Sequence, residues 1–135
     1  AQADQADREG SRVDEAELGA MQMAIRGLED ATRRLTHRDD IDFVFHRTIA
    51  QASNNHYYLT AFTALDNHVA IGMKLHSLSL MSSTPRLEQV FREHLAIFQA
   101  IREGKAELAG ATMRAHLEGS RDRLFEGRLL NLASR

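Results

Sequence analysis

Apolar residues along this chain recur mostly three, four or seven positions apart, the spacing that gathers them on one side of an α-helix. Leu18, Met21, Ile25, Leu28 and Leu35 form one such stripe. They predict a helix running to about Leu35, with Ser11 followed by Asp14 and Glu15 as its capping signal. Ahead of it, residues 1–9 read as a further helical piece broken at Gly10. Ile41, Phe45, Ile49 and Ala52 make the buried stripe of a helix over about residues 41–53, which Asp39 can cap. Asn54-Asn55 suits its C-terminus, because Asn tolerates left-handed backbone. Leu59, Phe62, Leu65, Val69, Met73 and Leu80 then predict one long helix over residues 57–80. Ser82-Ser83-Thr84-Pro85 reads as a loop ending in an N-cap and a Pro at the first helical position. The helix after it, residues 85–102, carries Leu87, Val90, Phe91, Leu95, Phe98 and Ile101, and Gly104 closes it. A last helix covers residues 106–130. The pattern is that of an all-α bundle of about six helices.

Composition agrees and narrows the chemistry. The chain has 135 residues, enough for one domain with a real core, and is 43% hydrophobic and 27% charged. One Pro and 6% aromatics favour helix over sheet. A net charge of −2 does not mark the domain as a nucleic-acid binder. With no cysteine, His and carboxylate are the only strong metal ligands, and the composition fits a reducing cytoplasm. No apolar run approaches the roughly 20 residues of a membrane helix. The polar opening, residues 1–12, is no signal peptide, lacks Met and reads like the tail of a longer helix, so a fragment of a larger protein is expected.

Four residues carry candidate chemistry. Asp42 and His46 are spaced i,i+4 and share one helix face. His94 lies among Phe91 and Phe98, and His116 between Met113 and Leu117, where apolar core residues would be expected. Each has a plain structural explanation alone: a hydrogen-bonded core histidine, or an acid favoured by a helix N-terminus. Together they are four inward polar groups needing partners, and a borderline divalent cation satisfies all of them. A metal centre and a hydrogen-bonded polar core both remain open on spacing. His37, His56, His68 and His76 read as surface or packing residues, with His68 and His76, two turns apart, a weaker secondary pair. The methionines read as ordinary core, and Arg33-Arg34 and the basic run 121–128 as solvated faces. Glu93 adjoins His94 but points about 100° away around the helix.

The run Asp42-Phe43-Val44-Phe45-His46-Arg47-Thr48-Ile49-Ala50-Gln51-Ala52-Ser53-Asn54-Asn55 resembles the D-x-x-F-H-x-x-I-x-x-A-S-G-N signature of the FCD domain. That domain is the C-terminal effector-binding part of FadR-type GntR transcriptional regulators. Residues 86–101, with Glu93-His94, and residues 104–117, with Met113 and His116, resemble two later helices of the family in the right order. The likeness covers about residues 11–124. Asn54 stands where the family usually has Gly, and Phe98 brings aromatic bulk near His94. The resemblance implies an antiparallel bundle of up to seven helices with a central metal on Asp42, His46, His94 and His116. It implies a small carboxylate effector at or beside the metal, a homodimer, and DNA binding only through an N-terminal winged helix absent from this chain.

The expectation is thus a cytoplasmic effector-sensing and dimerisation domain with no enzymatic activity. Its metal is zinc by default, nickel or manganese fitting the same ligands. Arg86 is the expected bidentate partner of the effector carboxylate. The rivals are a mononuclear metal enzyme, for which no spaced general base is evident, and a structural metal-binding or metal-free interaction domain.

Overall fold

A computed structural model describes residues 13–64, 66–80 and 83–133, with side chains described through residue 124 apart from those gaps. The described residues form six helices: α1 (Glu15–Arg33), α2 (Asp39–Ala52), α3 (His56–Ala64), α4 (Asp66–Leu80), α5 (Thr84–Arg102) and α6 (Ala106–Ala133). The fold is the all-α bundle that the apolar periodicity predicts. The helical piece expected over residues 1–9 lies outside the described residues.

Helix ends are set by local chemistry. Ser11 lies outside the described residues, and the Asp14 carboxylate, which accepts the Glu17 N–H at 2.8 Å, caps α1. Its other end closes two residues earlier than the stripe suggests. Leu35 takes φ 59°, the Leu35 N–H bonds to the Thr32 carbonyl and the Thr36 N–H to the Ala31 carbonyl, a Schellman closure. Leu35 is therefore exposed rather than buried. Gly104 (φ 73°) ends α5 the same way, with the Lys105 N–H on the Ala100 carbonyl, and here glycine relieves the strain. Asn54 takes φ 53° after α2, as its position predicts, and the Asn55 side chain accepts the Tyr58 N–H to cap α3. Asp39 lies inside α2, and Arg38 occupies the cap position without a side-chain capping bond, its guanidinium instead bonding to the Asp40 carboxylate. The single helix expected over residues 57–80 is two elements, α3 and α4, on either side of position 65, which is outside the described residues.

Packing closes a ring. α1 packs on α2 and α5, α5 on α6, α6 on α4, and α4 on α2, while α3 leans on α2 and α4. One core cluster, Met21, Ala24, Ile25, Phe45, Ala52, Ile97 and Phe98, joins α1, α2 and α5. A smaller one, Leu80, Leu87 and Val90, ties α4 to α5. Gly27 lets α1 approach α2 closely: a Cβ there would sit 2.8 Å from Ile41 Cδ1. The centre of the ring between α2, α4, α5 and α6 is where polar residues are buried.

A candidate metal centre inside the bundle

Asp42 is the hub. Its side chain is almost wholly buried, and three imidazoles converge on it. Oδ1 lies 3.1 Å from His46 Nε2, one turn along α2, and 2.9 Å from His94 Nε2 on α5. Oδ2 lies 2.9 Å from His37 Nε2, which comes from the loop that the α1 closure directs back over the bundle. His116, on α6, completes the group: its ring stacks on His46 at 5.4 Å and meets His94 edge-on at 4.3 Å. His46, His94 and His116 are all buried, and one ligand nitrogen from each lies within 4.8 Å of the others. Three histidines from three helices are thus close enough to hold one metal ion.

The hydrogen bonds behind these rings decide what they offer. His94 Nδ1 is 2.7 Å from the Val90 carbonyl oxygen. A carbonyl only accepts, so Nδ1 carries the hydrogen and the neutral ring presents a lone pair at Nε2. That nitrogen faces the Asp42 oxygen, acceptor to acceptor. Either a second proton on His94 or a cation between the two groups must relieve the contact. In the protein alone the proton does so. Burial opposes an imidazolium, but the Asp42 charge and bond outweigh it and raise the His94 pKa. Asp42 answers in kind. Burial works against its charge, yet His94 and the bonds from His37, His46 and His94 hold the carboxyl well below the usual range.

His116 is prepared differently. Its Nδ1 donates to Glu93 Oε1 at 2.7 Å, which leaves Nε2 as the ligand atom. Burial keeps the ring neutral, its pKa lowered to about 4 despite the Glu93 bond. Glu93 is fixed in turn by Arg123, whose Nη1 and Nη2 donate to its two oxygens at 3.0 and 2.9 Å. Those bonds outweigh partial burial and depress the Glu93 carboxyl to about 2. Gly119 makes room for the guanidinium, since a Cβ there would stand 3.2 Å from Arg123 Nη1. The result is a carboxylate–histidine support of the kind that orients metal ligands. Oriented imidazoles around an ionised carboxylate fit a divalent ion such as zinc, which would take the place of the proton on His94.

A model of the FCD domain matches residues 6–119. This chain belongs to the FCD domain family. No curated protein matches it. Within this FCD domain the structure brings Asp42, His46, His94 and His116 together, the four residues singled out by spacing and by resemblance. Arg86 is not among them. It is half-buried in the first turn of α5, two turns and about 12 Å along the axis from His94, and makes none of the cluster's hydrogen bonds.

Several residues read as bland prove otherwise. His37 is buried on Asp42; His76 is buried on α4, within its reading as a packing residue, whereas His56 and His68 are exposed, so His68 and His76 share no buried face. Arg123, inside a basic run taken for a solvated face, is buried on Glu93. Arg33 and Arg34 do lie at the surface, paired with Glu29 and Asp30. Met21 is core and Met113 packs against it, but Met23 is exposed and Met81 lies outside the described residues. One signal was available for the missed pair: His116 and Arg123 are seven residues apart, hence on one face of α6.

Proposed function

We propose that this FCD domain is the metal-containing, effector-sensing and dimerisation part of a GntR/FadR-type transcriptional regulator. A divalent ion, zinc by default with nickel or manganese as alternatives, is held by Asp42, His46, His94 and His116. The observation that carries this reading is the set of three buried histidines sharing one point, each ring turned by a bond behind it or by Asp42 beside it. Four ligands leave room for one or two more, which water or the carboxylate of a small organic acid fills. A groove of about 340 Å³ between α5 and α6, lined by Glu93, His116 and Arg123 among others, gives solvent a path toward His116.

The bound anion would favour one arrangement of the helix ring over another. In the full regulator that shift changes the spacing of N-terminal DNA-reading domains in a cytoplasmic homodimer. Ile71, Leu75 and Leu78 project from α4 as an exposed apolar stripe suited to the dimer contact. Arg86, nearer the end of α5, remains a candidate second contact for a longer effector. Among the described residues no helix is long and apolar enough to cross a membrane.

A sensor is favoured over an enzyme because Glu93, the acid nearest the cluster besides Asp42, is committed to His116 and Arg123 and has no free role as a base. The test is thermal denaturation with a panel of organic acids, run on metal-loaded and metal-stripped protein. Stabilisation by one acid class in the loaded protein alone supports the sensor. Equal responses in both forms, or none, contradict it.

A further inference from the structure

One buried histidine beside the cluster has no part in the proposed ligand set. His37 lies in the loop between α1 and α2, and its Nε2 stands 2.9 Å from Asp42 Oδ2. An ionised carboxylate only accepts, so this nitrogen carries the hydrogen and donates it. The other oxygen, Oδ1, faces His46 Nε2 and His94 Nε2, at 3.1 and 2.9 Å. The two oxygens of Asp42 are thus divided, one turned to the cluster and one held by the loop.

The division is built into the fold. Leu35 at φ 59° and the Thr36 N–H on the Ala31 carbonyl end α1, and the Asp42 N–H bonds to the Arg38 carbonyl at 3.0 Å, so the loop carrying His37 is tied on both sides. His37 and Asp42 are 6% and 3% exposed, which shields the bond between them from water. The His37 ring stands 6.5 Å from that of His94, and the three histidines that share one point are His46, His94 and His116. His37 is therefore placed to act on a metal ion through Asp42 and not as a ligand. Which oxygens a carboxylate offers decides how many donors the centre has. Oδ1 with one nitrogen from each of the three imidazoles makes four, the number that zinc prefers. Both oxygens would make five and bring the centre closer to the six-coordinate, oxygen-rich surroundings that suit manganese.

We propose that His37 is a positioning residue that confines Asp42 to one-oxygen ligation and thereby favours zinc over manganese at the centre. The inference rests on the metal reading of the cluster and adds to it the residue that sets the number of donors. His37→Phe keeps a ring but has no donor, and His37→Leu is the smaller substitute should phenylalanine disturb the helical circular dichroism. His37→Gln restores a donor, since its amide N–H₂ can stand where Nε2 stands. None of the three touches a proposed ligand.

The experiment loads each protein with cobalt(II), whose visible absorption is intense in four-coordinate sites and weak in five- or six-coordinate ones, and titrates zinc and manganese in competition with a chelator. The expected result for the variants without a donor is a weaker cobalt spectrum and a loss of zinc affinity of about 10–100-fold, with a smaller loss, or none, for manganese. His37→Gln should recover the wild-type spectrum and most of the zinc affinity. A wild-type spectrum and an unchanged preference for zinc over manganese in the donor-free variants would overturn the inference while leaving the metal centre standing. Equal losses in His37→Gln and the donor-free variants would assign His37 to packing, and would equally overturn it. A wild-type protein that takes up neither zinc nor cobalt would overturn the metal reading and this inference together.

Discussion

Replacing Glu93 by Gln should damage the domain through Arg123 and His116 at once. The substitution keeps the shape but removes the charge that accepts bonds from His116 and Arg123 at 2.7, 2.9 and 3.0 Å, beside a longer one from Gln89 Nε2 at 3.3 Å. It leaves a buried guanidinium without its counter-ion and turns an amide N–H₂ toward at least one existing donor. Breaking a buried pair by removing one partner costs about 3–5 kcal/mol. The lower end applies, because the Glu93 side chain keeps 21% of its surface in water. About 3 kcal/mol in a domain of this size lowers Tm by roughly 10 °C. The metal-stripped protein, followed by circular dichroism on heating, gives that number free of any metal contribution. Removing both charges in Glu93→Gln/Arg123→Met should recover more than half of the loss, since no buried charge is then left alone. Separately, losing the bond that orients His116 should weaken metal binding about 10–100-fold, measured by competition with a chelator. A Glu93→Gln protein that melts within 2 °C of wild type (about 0.6 kcal/mol) and holds metal equally well would refute this account of the carboxylate.

His76 should impose a pH dependence on the metal-free domain. Burial, helped by the Arg123 charge, lowers its pKa from 6.5 to about 4. The folded state thus resists a proton that the unfolded chain accepts, so the contribution is full above pH 6.5 and is lost as pH falls from 6.5 toward 4. His76→Gln should lose less stability than wild type between pH 7 and 4.5, by on the order of 2 kcal/mol in urea melts; equal losses would remove His76 from the explanation. On the α4 stripe, Ile71→Glu/Leu78→Glu should convert the expected dimer to monomer in analytical ultracentrifugation with little change in Tm. A persistent dimer would move the interface elsewhere.

What could be read from the sequence follows from how far each physical rule reaches. Helical periodicity is local, so the registers that bury Phe45, Val90 and Phe98 were legible, and with them the inward placing of Asp42, His46, His94 and His116. His37 was not, because it lies in a loop whose path depends on Leu35 adopting left-handed backbone, a conformation that leucine does not advertise. Glu93 and Arg123 were missed for a different reason. Each looks solvated on its own helix, and only the packing of α5 on α6 turns the two toward each other. The apolar residues between 57 and 80 suggested one helix, and periodicity alone did not reveal its division into α3 and α4.

The central claim is that the cluster around Asp42 is a metal centre. Its most direct test is the metal content of the purified domain by inductively coupled plasma mass spectrometry, for wild type and for His94→Ala/His116→Ala. The expected result is about one divalent ion per chain in wild type, as a single shared point implies, and almost none in the variant. Wild-type protein that stays metal-free after incubation with zinc, nickel or manganese would contradict the claim and leave Asp42 and its imidazoles as a proton-sharing polar core.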